Sequence, residues 1–291
     1  MAAPDTFASS AATAVLHKST VGVVTVTYNS DRFFDEYMAA LQAQTRRPDL
    51  VVLVDSGSTQ PEFLDRVSSF SVTTEICRET NVGVCGGNNI GWRRVKDFDY
   101  ILFLNPDAFL AHDFIERAVA YLDRNPQVGM VTPSLVRYDI ESHSPLDVID
   151  TTGVVRSWRG FSERDQSKPV EMLRRYSVPN QIPWLCTAVA MGRREAMNAV
   201  VESGDQLFDE SFFMYKDDTD LSWRVRRAGW HIMHHPGLLG YHCRGWQSRR
   251  EMPRKARLLS ARNDIKMCWK NRSPILLTVW LKYMLVRYLD L

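Results

Sequence analysis

The 291-residue chain is 45% hydrophobic and 24% charged, with 36 Lys and Arg against 34 Asp and Glu and a formal net charge of +2. That balance describes a globular chain of one or two domains with enough apolar residues for a large core. It excludes the strong overall field with which a nucleic-acid binder holds its ligand. The five cysteines (Cys77, Cys85, Cys186, Cys243, Cys268) are odd in number and lack CxxC spacing, which argues against a disulfide framework or zinc ribbon and for a reducing cytoplasm.

Residues 1–20, rich in Ala, Ser and Thr, have no basic stretch followed by an unbroken apolar one, so a flexible tail is expected rather than an export signal. From Val21 the pattern turns to strand, helix, strand. "VGVVTVTYN" is a continuous β-branched run, and "SDRFFDEYMAALQAQ" places Phe33, Phe34, Tyr37, Met38 and Leu41 on one helical face, with Ser30 or Asp31 as its cap. "LVVLVDSGST" and "YILFLNPD" repeat the strand-then-turn pattern, "TTEICRE" is a weaker strand, and "GGNNIGWRRV" starts a helix. Runs apolar on both faces, alternating with helices, predict a parallel sheet covered on both sides. Open sheets of that kind bind ligands beyond the carboxyl ends of their strands. Three such ends carry polar clusters expected to converge: Thr27, Tyr28 and Asn29; Asp55, Ser56 and Gly57; Asn105 and Asp107.

"NVGVCGGNNIGW" has neither a P-loop ending nor a dinucleotide fingerprint, which argues against an ATPase, but Gly86 and Gly87 would let backbone approach a ligand ahead of a helix N-terminus. "AHDFIERAVAYLDRNP" predicts a helix burying Phe114, Ile115, Ala118, Val119 and Leu122, and "VGMVTPSLV" a strand. The stretch from about Arg137 to Gln181, including "SWRGFSERDQSKP", is too polar for core and is expected to be an irregular, mobile loop over the site. "IPWLCTAVAMGRREAM" predicts a strand and then a helix.

"FFMYKDDTDLSWRVRRAGW" puts Asp217, Asp218 and Asp220 at the start of a helix that ends at Gly229. Acids early and bases late suit the helix dipole, and that reading stands beside a catalytic one. An adjacent acid pair held ionised at a helix N-terminus suits a general base. In "HIMHHPGLLGYHCRG" the apolar alternation favours a strand and turn over a helical zinc site at His231, His234 and His235; His242, before a likely loop, is free to join a metal site with Asp107. The C-terminal "CRGWQSRREMPRKARLL" is locally basic, and "PILLTVWLKYMLVRYLDL" is apolar but shorter than the roughly 20 residues a span requires. It predicts a helix that docks on the domain or lies on a membrane surface.

"VTYN", "VDSGS", "NVGVCGGNNIGW", "FLNPDAF" and "FFMYKDDTDLSWRVRRAGW…GYHCRG", in this order, resemble the family-2 inverting glycosyltransferases of the GT-A fold, especially bacterial rhamnosyl- and galactofuranosyltransferase-like members. The resemblance runs from about Val21 to Trp246, with a weaker echo at "SARNDI". It implies an α/β fold with a Rossmann-like mixed, mostly parallel sheet flanked by helices. Residues 21–110 would form a nucleotide-sugar-binding half, 111–246 an acceptor and catalytic half, and 247–291 a helical extension after the 1–20 tail. Thr27, Tyr28, Asn29, Asp55, Asn81, Gly83, Gly87, Asn88, Asn89 and Asn105 would line the nucleotide-sugar site. The DxD metal motif falls on "NPD", so Asp107 with His242 would ligate Mg²⁺ or Mn²⁺, and Asn105 in place of the first acid leaves that site less charged. Asp217 and Asp218 match the catalytic pair, with Asp218 as base. Trp158, Arg159, Trp184 and Trp246 are candidates to stack on sugars.

The implied donor is dTDP-L-rhamnose, or else UDP-galactofuranose or another UDP-sugar. The implied acceptor is a glycan or lipid-linked hydroxyl used in cell-surface polysaccharide synthesis, at the inner face of the cytoplasmic membrane. Rival readings are a two-carboxylate glycosidase, which needs no nucleotide pocket, a nucleotidyltransferase, whose glycine-rich basic start is missing, and a non-catalytic membrane-associated scaffold.

Overall fold

Along the central strands the pleat sends alternate side chains to opposite faces, and each face is apolar enough to need a cover. The computed structural model describes residues 18–157, 160–245 and 251–289. In chain order the elements are β1 (Val21–Thr27), α1 (Asp31–Gln42), β2 (Leu50–Ser56), a 3-10 stretch at Pro61–Ser69, β3 (Thr74–Glu79), α2 (Gly83–Val95), β4 (Tyr100–Leu104), β5 (Ala108–Leu110), α3 (Phe114–Arg124), β6 (Val128–Asp139), β7 (Ser144–Thr151), β8 (Val154–Ser157), β9 (Gly160–Glu163), a 3-10 turn at Val170–Arg175, β10 (Asn180–Gln181), β11 (Val189–Arg193), α4 (Arg194–Asn198), a 3-10 turn at Glu210–Phe212, α5 (Asp217–Arg227), β12 (His231–His242), α6 (Arg254–Lys270) and α7 (Leu276–Leu289).

The main sheet has the order β10-β12-β6-β11-β4-β1-β2-β3, with β5 on β12 and β7 on β6. β3, β2, β1 and β4 are mutually parallel, and β6 and β12, parallel to each other, share their direction through the antiparallel β11. Val21, Val23, Val51 and Leu53 point into one core with Phe34, Tyr37, Leu41, Phe114 and Leu122 of α1 and α3. Val24, Val52 and Val54 point into the other, with Trp92, Phe208, Phe212, Leu221 and Met267. This alternation explains why the strands read as unbroken apolar runs.

Three expectations change. The stretch from Arg137 to Gln181 is not an irregular loop: it holds the end of β6, the strands β7, β8, β9 and β10, and a 3-10 turn. Its strands are short and mostly polar outward, as in the pattern of β7, which hid the period. Trp158 and Arg159, like Trp246 and residues 1–17, lie outside the described residues. Ser30 stands at the N-cap of α1 but makes no side-chain cap bond; its hydroxyl instead accepts the Tyr28 N–H at 3.2 Å.

Gly86 and Gly87 do not form a loop for a ligand, because α2 begins earlier, at Gly83. A Cβ at Gly87 or Gly91 would come within 2.6 Å of Val26 or 2.3 Å of Val24, so these glycines let α2 lie directly on β1. The C-terminal segment is built into the molecule: Met267, Cys268 and Val279 are buried in the second core.

Candidate active site

The strand ends are knitted before any ligand arrives. Thr27 and Asp55 face each other in the β1–β2 register, and the Thr27 hydroxyl donates to Asp55 Oδ1 at 3.2 Å. Asn29, with φ 51°, donates its N–H to Ser58 Oγ and accepts the Thr59 N–H, both at 2.8 Å, while Tyr28 is left exposed. Asn81 Oδ1 accepts the Gly83 N–H at 3.2 Å at the start of α2, and Ser56 Oγ accepts the Val82 N–H at 3.0 Å. Beside these ends a cleft of about 100 Å³ is lined by Val26, Val84, Asn88, Phe103, Leu104, Asn105, Pro106 and Thr187. That is less than a ligand pocket usually holds, so a nucleotide sugar would extend along the rim.

Past β4 the chain turns sharply: Asn105 donates its N–H to Ala188 O at 2.9 Å and accepts the Ala108 N–H at 3.1 Å. The turn carries Asp107 to the last residue of β12, where His242 Nε2 stands 3.4 Å from Asp107 Oδ1. The other ring nitrogen, Nδ1, is 2.8 Å from Oδ2 of Asp150, at the end of β7, which also pairs with Arg244. Burial alone would lower the His242 pKa, but Asp107 and Asp150 outweigh it and push it up to about 10. Burial opposes Asp150 ionising, yet His242 and Arg244 hold it at about 2.

Asp217 and Asp218 open α5. Asp217 is buried, whereas Asp218 is partly exposed. Asp218 Oδ1 accepts the Thr219 N–H at 2.6 Å, and the carboxylate also takes the backbone N–H of Thr187, which lines the cleft. The expected dipole-stabilised pair is corrected in sign. Burial, then repulsion from Asp218, raises Asp217 to about 7; burial also raises Asp218, against the pull of Lys216. When one carboxylate of the pair is ionised, its charge makes the neighbour favour the protonated form.

The remaining sequence candidates divide. Asn88 faces the cleft, whereas Asn89 is fully buried and its amide is spent on Phe208 N and O and on Glu210. Gly83 (φ 71°) packs under Phe213, and Gly87 against Val26, so both shape the backbone. Trp184 is a core residue, its ring 4.9 Å from Phe161 and 5.3 Å from Trp223, and is not placed to stack on a sugar. His234 is buried between Ser134 and Asn180, while His235 packs on Tyr121, so strand alternation parts them.

Sequence reading missed Asp150, Arg244 and Glu163. Glu163 Oε1 lies 3.5 Å from Arg244, its other oxygen is buried without a partner, and burial raises its carboxyl. The only sequence signal was an acid at each end of an apparently featureless polar segment.

Whether these residues fit a divalent ion is a matter of spacing and tautomer. Two ligands about 2.1 Å from one octahedral ion stand about 3 Å apart, close to the Asp107–His242 gap. The Asp150 contact to Nδ1 is the carboxylate support that ligating histidines have, leaving Nε2 toward Asp107. No group of three His, Cys, Asp or Glu suited to a metal occurs among the described residues, so an ion here would take its other ligands from diphosphate and water.

The description "Glycosyl transferase family 2" matches residues 22–201. An N-acetylglucosaminyl-diphospho-decaprenol L-rhamnosyltransferase of Mycobacterium tuberculosis is 23% identical over 256 residues, covering 79% of this chain and 78% of that protein. The O-antigen chain rhamnosyltransferase RfbN of Salmonella typhimurium is 27% identical over 116 residues, 38% of this chain and 35% of that one. Among solved structures, the mannosyltransferase PcManGT of Pyrobaculum calidifontis, in complex with GDP-Man and Mn²⁺, has a TM-score of 0.60 at 18% identity, over 94% of this chain and 71% of its own. GalNAc-T7 with UDP, GalNAc and Mn²⁺ also has a TM-score of 0.60, at 16% identity, over 77% of this chain and 43% of that one. With a mostly parallel sheet flanked by helices and the match over residues 22–201, the chain is what it was expected to be: it belongs to glycosyl transferase family 2.

Proposed function

We propose that the protein transfers a sugar, with inversion, from dTDP-L-rhamnose to a hydroxyl of a lipid-linked glycan. The observations that carry this reading are the bond of Asp218 to the backbone N–H of Thr187, which lines the cleft, and the Asp107–His242 pair just past the cleft-lining Asn105 and Pro106. The rhamnosyltransferase relatives support the donor, and the decaprenol-linked substrate in the name of one of them supports the acceptor.

Thr27, Asn29, Asp55 and Asn81 form the rim for the nucleotide, and Asn88 and Asn105 the floor for the diphosphate and sugar. Asp218 takes the proton of the acceptor hydroxyl as its oxygen attacks the anomeric carbon and the bond to the diphosphate breaks. Asp107 and His242 would hold Mg²⁺ or Mn²⁺, which when bound would supply positive charge against the departing diphosphate. Alignment of donor and acceptor supplies about 7 to 11 kcal/mol of barrier lowering, more than the roughly 10² to 10⁴-fold of a base alone.

Calorimetry with dTDP-L-rhamnose, UDP-sugars and their free diphosphates, with and without Mn²⁺, tests the donor site. Binding of dTDP-L-rhamnose that needs Mn²⁺ and is lost in Asp107→Ala is expected. Preference for UDP-galactofuranose would change the donor, and binding of none would return the weight to a scaffold. Asp218→Asn should bind the donor as wild type does and turn over at least about 10²-fold more slowly.

A further inference from the structure

Asp217 and Asp218 are delivered by a turn that its own sequence does not favour. Phe213, Tyr215 and Lys216 all have positive φ, 63°, 70° and 70°, and none is glycine. A non-glycine residue in this region is strained and persists only where its surroundings over-determine it. The surroundings that do so come from α6. Asn263, 2% exposed, donates from one amide nitrogen to the carbonyls of Phe212 and Met214 at 2.8 Å and Tyr215 at 3.1 Å. Lys266 adds a bond to Ser211 O at 2.8 Å.

The next residue, Asp264, is fully buried and sits between two cations: Lys216 at 3.4 Å, the residue just before the acid pair, and Lys282 of α7 at 2.7 Å. We propose that Asn263 and Asp264, with Lys216 and Lys282, are positioning residues that fix the Phe212–Lys216 turn and so aim Asp218 at the acceptor hydroxyl. The inference rests on Asp218 being the base. It makes the α6–α7 pair a part of the catalytic apparatus, joined to the site through a buried Lys–Asp–Lys chain.

Lys216 has a second consequence, on charge. The groups facing Asp218 are Asp217 on its own helix, Lys216 on the turn, Glu163 from β9, Cys186 before β11 and Cys85 from α2. Lys216 is the cation that opposes burial of that carboxylate.

The test measures turnover of dTDP-L-rhamnose, its binding with Mn²⁺, and hydrogen exchange in residues 211–218, for Asn263→Ala, Asp264→Asn, Lys282→Met, Lys216→Met and Lys216→Arg, beside Asp218→Asn. In Asn263→Ala kcat should fall about 10²-fold, as a misplacement near 1 Å does, with donor affinity unchanged and faster exchange confined to the turn. Lys282→Met, at the partly exposed end of the chain of charges, should show the same split more weakly, and it carries the test if Asn263→Ala does not fold. Lys216→Met should move the acid limb of kcat/KM to higher pH, and Lys216→Arg should restore it. Wild-type kcat in the folded Asn263 and Lys282 variants, or parallel losses of donor binding and turnover in both, would overturn the proposal. If Asp218→Asn itself turns over normally, the base assignment fails instead, whatever the α6 variants do.

Discussion

At Asp217 and Asp218 two residue-scale effects oppose each other. The first turn of a helix favours ionised carboxylates, but burial and mutual repulsion are larger here and push Asp217 up to about 7 from an ordinary 3.8. A raised carboxyl contributes stability below 3.8 that is lost as pH rises through about 7. Asp217→Asn should therefore unfold at higher denaturant than wild type at pH 8, with the difference shrinking as pH falls and little of it left below pH 3.8. It should also extend kcat/KM to lower pH, because Asp218 loses a neighbouring negative charge while Lys216, Glu163, Cys85 and Cys186 stay in place. Asp150 shows the opposite sign, being held at about 2, so its contribution is present above 3.8 and lost only as pH falls through about 2. Asp150→Asn leaves His242 and Arg244 facing an uncharged partner in a buried site and should cost about 3–5 kcal/mol by denaturant unfolding at pH 7. Of the residues named from motifs, Asp107 stands against His242, and Asp218 bonds to Thr187 at the cleft. Asp150 was not legible because its partner is 92 positions away in the chain, and an ion pair of that separation leaves no local pattern.

Elements were legible where one face is apolar. α3 buries the residues its spacing names and α1 all of its except Phe33, which is half-buried, and β1, β2 and β4 form where the apolar runs lie. The stretch from 137 to 181 was misread because β8 and β9 have four residues each and form a two-stranded sheet of their own, so neither has room to display a period. α2 was found but its glycines were given to the ligand, although they serve its contact with β1. Gly91→Ala places a methyl 2.3 Å from Val24 Cγ1 and must push the helix off the strand. The expected loss is about 1–3 kcal/mol, as overpacking of a filled core usually costs. Gly245→Ala, with no atom of the described residues within 4 Å of the added carbon, should be neutral in the same thermal and denaturant scans. Because α2 also carries Asn88 to the cleft, Gly91→Ala should weaken nucleotide binding as well.

At the scale of the whole molecule, a net charge of +2 conceals an uneven distribution: residues 251–289 hold nine Lys and Arg against two acids, and one of those acids, Asp264, is buried and paired. α7 docks through Val279 and Val286, yet Leu277, Trp280, Leu281, Leu285 and Tyr288 are exposed, recurring at helical spacing, with Trp269 exposed at the end of α6. Among the described residues no helix is long and apolar enough to cross a membrane, but an apolar stripe among cations suits the surface of an anionic one. If a lipid-linked acceptor is presented there, the protein should co-sediment with vesicles containing phosphatidylglycerol, and do so less as salt rises. Trimming the chain after Pro274 cannot test this, because it also removes Lys282 from the buried chain that supports the catalytic turn. Leu277→Asp with Leu281→Asp spares Lys282 and places charge on the exposed stripe alone. That double variant should keep nucleotide binding and turnover of a water-soluble acceptor while losing vesicle binding; unchanged co-sedimentation would remove α7 from the membrane contact and leave its service to the catalytic turn.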